Sequence, residues 1–170
     1  MNNDFYPEIP DHIKGLIKSG EITDEIFLDK EGVWYHNNEK FSNTRIIEFF
    51  NKSINITASG EYVIHYGNHT YPVTVEDAPV FITGVIFSGF GNFETIQLNL
   101  STGENENLDC STLFVKENNS LYCMVRDGKL LAKFKRSPSF HILERLEEDS
   151  IGRYHLFLCG KKFELKRELE

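Results

Sequence analysis

Two adjacent carboxylates, Glu76 and Asp77, carry the chemistry of a general acid and base. They lie in Val75-Glu-Asp-Ala-Pro79, where the proline biases Ala78 toward an extended shape. Neighbouring side chains on an extended chain point to opposite faces, so the two do not serve one reacting atom as a pair. One of them would face a groove while the other accepts backbone N–H groups in a turn. A structural role and a ligand-binding role are both open. The matching cations are Arg126 and Arg136, whose guanidinium forks grip a carboxylate or an anionic ligand with two parallel hydrogen bonds. A salt bridge and an anion site would use the same geometry.

Other reactive groups lose their case on spacing. His65 and His69 have the i,i+4 separation of a metal pair, but that spacing shares a face only on a helix. Around a hairpin turn, Tyr66 opposes His69 and His65 opposes Thr70, which puts the imidazoles on opposite faces. His36 and His141 have no company. No Gly-x-Ser-x-Gly elbow is present, and no cysteine has a neighbour signature that lowers its pKa. Ser88-Gly-Phe-Gly91 lacks the lysine and following helix of a phosphate cradle and reads as a strand bend. No catalytic residue, metal ligand or cofactor is assigned. Trp34, Tyr35, Phe49, Phe50, Tyr62 and Tyr66 have the ring types that stack on bases, but aromatics serve first as large core groups.

Charge narrows the partner. With 26 acidic and 18 basic residues the formal charge is −8, a field that repels phosphate backbones and disfavours non-specific nucleic-acid binding. Lys129, Lys133, Lys135 and Arg136 cluster, yet Asp127, Glu144, Glu147, Glu148 and Asp149 lie beside them, so the group reads as solvated surface. Three widely spaced cysteines, Cys110, Cys123 and Cys159, build neither a disulfide framework nor a Cys-x-x-Cys knuckle, which points to a reducing compartment. The start MNNDFYPEIPDHIKG has acids and prolines where a signal peptide needs a basic start and an apolar run, and no stretch approaches the roughly 18–20 apolar residues of a membrane span. A soluble, cytoplasmic protein is expected, and the glycosylation acceptor patterns at Asn55, Asn68, Asn99 and Asn118 then carry no meaning.

The elements that must position these residues are α+β. Ile13, Leu16 and Ile17 before Gly20 predict a short helix within a leading segment, residues 1–22. Residues 26–36 read as strand, turn, strand around Gly32, and Asn43 as the cap of a helix with Ile46, Ile47, Phe49 and Phe50 on its apolar face. Residues 61–66 and 70–75 flank Gly67-Asn68, a pair suited to a tight hairpin. The nearly continuous apolar run 80–87 predicts a central strand covered on both sides, and 93–100 another strand. Residues 101–109 are polar and aperiodic, hence a loop. Then 121–125 and 129–135 predict a hairpin, Ser137-Pro138 opens a helix to about 148, and 153–158 with 162–166 form a hairpin around Cys159-Gly160-Lys161.

Strand, turn, strand, helix, strand, turn, strand thus occurs twice, in mostly antiparallel sheets, over residues 23–90 and 91–170. Glu31-Gly32 matches Asp127-Gly128, and Arg45-Ile-Ile-Glu-Phe-Phe50 matches His141-Ile-Leu-Glu-Arg-Leu146, at an offset of 96. Gly60-Glu-Tyr matches Gly152-Arg-Tyr, and Tyr71-Pro-Val73 matches Phe163-Glu-Leu165, at an offset of 92. Similar units packed about a pseudo-symmetric interface create a groove where they meet.

Gly32-Val-Trp-Tyr35, the helix Ile46-Ile-x-Phe-Phe50, Gly60-Glu-Tyr62 and above all Val75-Glu-Asp-Ala-Pro79 resemble the bacterial domain of unknown function 1285 family. Tyr122-x-x-Val-Arg126, Gly128, Leu131-Ala132, Arg136, Leu143 and Gly160-x-x-Phe163 continue the resemblance, which runs from about residue 26 to 167. Asn43 stands where the family pattern has an arginine, and His65-Tyr-Gly-Asn-His69 replaces its Pro-x-Glu-Lys hairpin, so a divergent member is implied. The resemblance implies a duplicated architecture, a carboxy-terminal half loosely like a pleckstrin-homology fold, a ligand site at the interface of the repeats and a binding or signalling role. On this reading the chain is a non-catalytic ligand-binding or regulatory module for an unknown small molecule or protein. Trp34, Glu76, Asp77, Arg126 and Arg136 would line its groove. The alternatives are a protein-interaction scaffold, docking by a sheet edge or helix face, and a hydrolase using Glu76 or Asp77.

Overall fold

The computed structural model describes residues 26–168, so the helix expected in the leading segment lies outside the described residues. The chain divides between Pro79 and Val80 into two compact units. Strands dominate both, with one α-helix described in each, in antiparallel and mixed sheets: an α+β fold.

In unit 1, strands β1 (Ile26–Leu28) and β2 (Trp34–His36) pair across a turn that Asp29 organises by accepting the N–H groups of Glu31 and Val33 at 2.9 and 2.8 Å. The short strand β3 (Glu39–Lys40) folds back through Asn37-Asn38, both at positive φ, as a two-residue hairpin of this kind requires. Asn43 then caps the helix Thr44–Ser53, its side chain accepting from the N–H groups of Arg45 and Ile46, which contributes about 1 kcal/mol. The helix buries Ile46, Phe49 and Phe50, and the Phe50 ring meets Trp34 and Phe41 with centroids 5.2 and 5.1 Å away. Strands β4 (Ile54–Ile56), β5 (Tyr62–Tyr66) and β6 (His69–Val75) follow as a meander, and β6 closes the sheet by pairing parallel to β1. The strand order is β3-β2-β1-β6-β5-β4. At the expected tight turn Gly67 has φ +56, Tyr66 opposes His69, and His65 opposes Thr70 with Nδ1 and Oγ1 3.1 Å apart.

Unit 2 opens with β7 (Val80–Ser88), which pairs antiparallel with β8 (Thr95–Leu100) and parallel with β12 (Leu130–Phe134). Only Val80, Phe81 and Ile82 face β12, and only they are buried in full; beyond them β7 runs out beside β8 with one edge unpaired among the described strands. The covered strand read from the apolar run is therefore covered over its first third. Residues 101–109 include a further strand, β9 (Asn105–Asn107), paired with β8. Its polarity masked it, because an outer strand with exposed side chains needs no apolar alternation.

Strands β10 (Phe114–Val115) and β11 (Leu121–Val125) bring the chain to β12, and the sheet order is β16-β10-β11-β12-β7-β8-β9, with β16 (Lys166–Arg167) parallel to β10. The helix Arg136–Leu143 packs on β7 and β12 and buries Pro138 and Ile142. It stops five residues before the expected end. Leu146–Glu148 is instead strand β13, paired with β14 (Tyr154–Leu158), which pairs with β15 (Lys161–Glu164). Pairing with β14 satisfies the backbone there and overrides a helical pattern of modest propensity. No described helix is long and apolar enough to cross a membrane.

Candidate functional site

The carboxylates of unit 1 work close to the β1–β2 turn. Glu76 leaves the end of β6, donates its backbone N–H to the Leu28 carbonyl at 2.9 Å and accepts the Lys30 N–H on Oε2 at 2.8 Å. It is exposed, whereas Asp77 is half-buried ahead of the buried Ala78-Pro79. Tyr35 stands on β2 near this corner. Loss of solvation first, then the charge and hydrogen bond of Asp29 and the charge of Glu76, raise its phenol pKa. Trp34 is core: 1% exposed, it packs against Phe50 with the rings tilted by 57° and donates its indole N–H to Asn51 Oδ1 at 2.8 Å. A buried indole N–H needs such a partner, so both its polar atom and its rings are engaged inside the unit.

In unit 2 the two arginines stand at opposite ends of β12, Arg126 before its turn and Arg136 just beyond its last residue. A five-residue strand separates them by roughly 17 Å, too far to converge on one small anion. Arg126 is held in the left-handed region at φ +51, and its N–H is shared between Glu106 Oε1 and Oε2, 3.1 Å from each. Its Nε and Nη2 both donate to Glu104 Oε2, at 3.1 and 2.9 Å. Its cation is thus met by Glu104, and its backbone N–H by Glu106, both on the β8–β9 hairpin. Arg136 is exposed at the first turn of its helix. There it lines, with Ser137, Phe140 and His141, an open hollow of about 340 Å³. Phe140 is 65% exposed.

Three clusters were not read from the sequence: two join residues far apart in the chain, and the third lies in a segment that reads as the end of a helix and the start of a strand. Glu94 holds the Arg145 guanidinium with Oε1 and accepts the Cys159 N–H on Oε2 at 2.7 Å, while the Arg145 guanidinium lies 4.2 Å from the centre of the Phe87 ring. The Cys110 and Cys159 sulfurs lie 3.4 Å apart. Asp149 accepts the N–H groups of Ile151 and Arg153 on Oδ1 and meets Arg153 Nε and His155 Nε2 at Oδ2, at 3.2 and 3.0 Å. Those donors, the Arg153 N–H foremost and then His155, hold its carboxyl well below the usual range. Asp149-His155 has the form of a carboxylate–imidazole dyad, but it sits inside a turn and is engaged in closing it. Among the described residues no group of three or more His, Cys, Asp or Glu is placed to hold a metal ion.

The architecture of these units is similar to that of two solved DUF1285 family proteins. The crystal structure of a DUF1285 family protein from Silicibacter pomeroyi DSS-3 matches with a TM-score of 0.67 at 16% identity, over 83% of this chain and 79% of that one. A DUF1285 family protein from Shewanella baltica OS155 matches with a TM-score of 0.56 at 20% identity, over 72% of this chain and 92% of that one. At such identities the likeness establishes the shared fold, and the chain is DUF1285-like in that sense. No protein-family model and no curated protein matches the sequence.

Proposed function

We propose that the protein is a non-catalytic binding or regulatory module that takes its ligand on unit 2, at the hollow beside the helix Arg136–Leu143. The observation that carries this reading is the grouping of Arg136, Ser137, Phe140 and His141 around about 340 Å³, within the size range of small-ligand sites. A guanidinium next to an exposed phenyl and an imidazole suits a ligand with an anionic group beside an apolar ring. Of the five residues expected to line a site, Arg136 supports this reading most directly. A regulatory or signalling role is the one that binding without a reaction would serve. The test is a thermal-shift screen of aromatic carboxylates and phosphates: a ligand that binds the folded state raises the midpoint. Arg136→Ala and Phe140→Ala should each remove that shift, and a shift untouched by both would move the site elsewhere.

A duplicated plan is supported by matching registers and turns in the two units. The β1–β2 and β10–β11 pairs share a register, Phe27 opposite Tyr35 and Phe114 opposite Tyr122. Residues 29–33 and 116–120 form the same five-residue turn, with Gly32 and Asn119 at positive φ in its fourth position. After the helices, β4 and β13, β5 and β14, and the starts of β6 and β15 fall 92 residues apart. On this alignment β1 corresponds to β10, so the hairpin at Asp127-Gly128 corresponds to Asn37-Asn38 and not to Glu31-Gly32. The β7–β8–β9 segment then has no counterpart among β1–β6, and a segment outside the repeat is where a specialised function is most readily added. The seven strands of the larger unit 2 sheet favour the loose pleckstrin-homology likeness.

That same segment favours one second reading, a protein-interaction scaffold. Phe90 and Phe93, at the tip of the β7–β8 hairpin, are 84% and 85% exposed, and large exposed apolar groups mark docking surfaces. Replacing both by Ser should leave the melting midpoint unchanged while abolishing retention of a partner in affinity capture.

A further inference from the structure

The fold brings together two of the three cysteines across 49 residues of sequence, within unit 2. Cys110 begins the tight turn Cys110–Thr112 and is 6% exposed; Cys159 is the half-buried first residue of the turn joining β14 to β15. Their sulfurs are 3.4 Å apart, and both backbones are pinned. Asp109 caps the first turn by accepting the Ser111 N–H at 3.0 Å. Cys159, at φ +53, donates its N–H to Glu94 at 2.7 Å. The adjoining Gly160 is seated so closely on Asn92 that a Cβ there would lie 2.6 Å from its Cα. Cys123 is fully buried in β11 and takes no part in this pair.

We propose that the juxtaposed Cys110 and Cys159 are a thiol-modification site that closes to a reversible intramolecular disulfide on reaction with a low-molecular-weight disulfide, RSSR. Cys159 is the more accessible and reacts first. Its thiol loses a proton, and the thiolate attacks one sulfur of RSSR, forming the mixed disulfide Cys159–S–S–R and releasing RS⁻, which takes up a proton. Cys110 then gives up its proton and attacks Cys159 Sγ; the S–S bond to R breaks, and the second RS⁻ leaves and is protonated. In sum, two protein thiols lose two electrons and two protons to RSSR, giving one protein disulfide and two RSH. Burial, the hydrogen bond to Cys159 and the charges of Cys159, Asp109 and Glu94 raise the Cys110 thiol pKa and slow its attack on an external disulfide, so its part is the intramolecular step, favoured by the 3.4 Å between the sulfurs. The bond would tie the β14–β15 turn to the Cys110–Thr112 turn and restrict the unfolded chain.

The experiment treats the reduced full-length protein with glutathione disulfide under native conditions, quenches with acid, then unfolds and alkylates it for intact-mass and peptide analysis. The expected product has lost two hydrogen masses, carries no glutathione, alkylates only at Cys123, yields a Cys110–Cys159 linked peptide, and reverts with dithiothreitol. Its thermal midpoint is raised. In Cys110→Ser, glutathione stays trapped on Cys159; in Cys123→Ser the pair closes as before. Three alkylatable thiols after treatment, a wild-type product that stops at the glutathione adduct, or a bond that involves Cys123 or a second chain would each overturn the proposal. The wild-type map decides even where a variant fails to fold.

Discussion

Asp149 is surrounded by donors: two backbone N–H groups, the Arg153 guanidinium and the His155 ring. Its carboxyl therefore titrates below the unfolded value of about 3.9. The stability conferred by a carboxylate whose folded pKa is depressed is fully present above the unfolded pKa and lost as pH falls through the folded one. Asp149→Asn should lower stability at neutral pH and flatten the acid limb of the stability curve from about pH 5 downward, measured by urea denaturation at a series of pH values. An acid limb as steep as that of the wild type would show that the ionised group is not what stabilises this turn. The same scale explains what the sequence concealed. Arg126 and Asp77 were legible as charges, but a charge does not name its partner. Glu104 and Glu106 reach Arg126 only because β9 pairs with β8. Trp34 was legible as a large ring; that its N–H would be met by Asn51, from the helix, was not.

Elements were read best where local chemistry decides them. Asn43 as a cap and Gly67-Asn68 as a tight turn both depend on a few adjacent residues, and both are present. The extent of the second helix and the strand β9 depend on pairing partners far along the chain, so local pattern could not supply them. Gly160 and Gly60 separate the two kinds of constraint. Both have positive φ, +70 and +87, which costs a side chain about 1–2 kcal/mol. A Cβ on Gly60 meets nothing within 4 Å, while one on Gly160 falls 2.6 and 2.8 Å from the Asn92 Cα and N. Gly160→Ala should therefore lower the urea midpoint clearly more than Gly60→Ala. Equal losses would mean that the β14–β15 turn is not seated on Gly91–Phe93.

At the scale of the molecule, the ladders of unit 2 close among β7–β16, and its core includes Val80, Ile82, Leu98, Leu121, Tyr122, Leu130 and Leu156, all fully buried. Residues 80–170 produced alone should give a dispersed amide spectrum and a cooperative melt, as a unit with its own core does. A collapsed spectrum would show that the division at Pro79–Val80 is not a folding boundary. The net charge of −8 acts at this scale too, as a field that repels polyanions. By itself the sequence determined the α+β class, the capped helix, the Gly-turn hairpins and the absence of a local catalytic motif, because these follow from composition, periodicity and the conformational needs of single residues. The tertiary structure alone decided which charges meet, that Arg126 and Arg136 stand apart, that Phe90 and Phe93 are left exposed, and that Cys110 and Cys159 come within 3.4 Å. Those are contacts between residues tens of positions apart, and they are set by strand order and register, which no local pattern encodes.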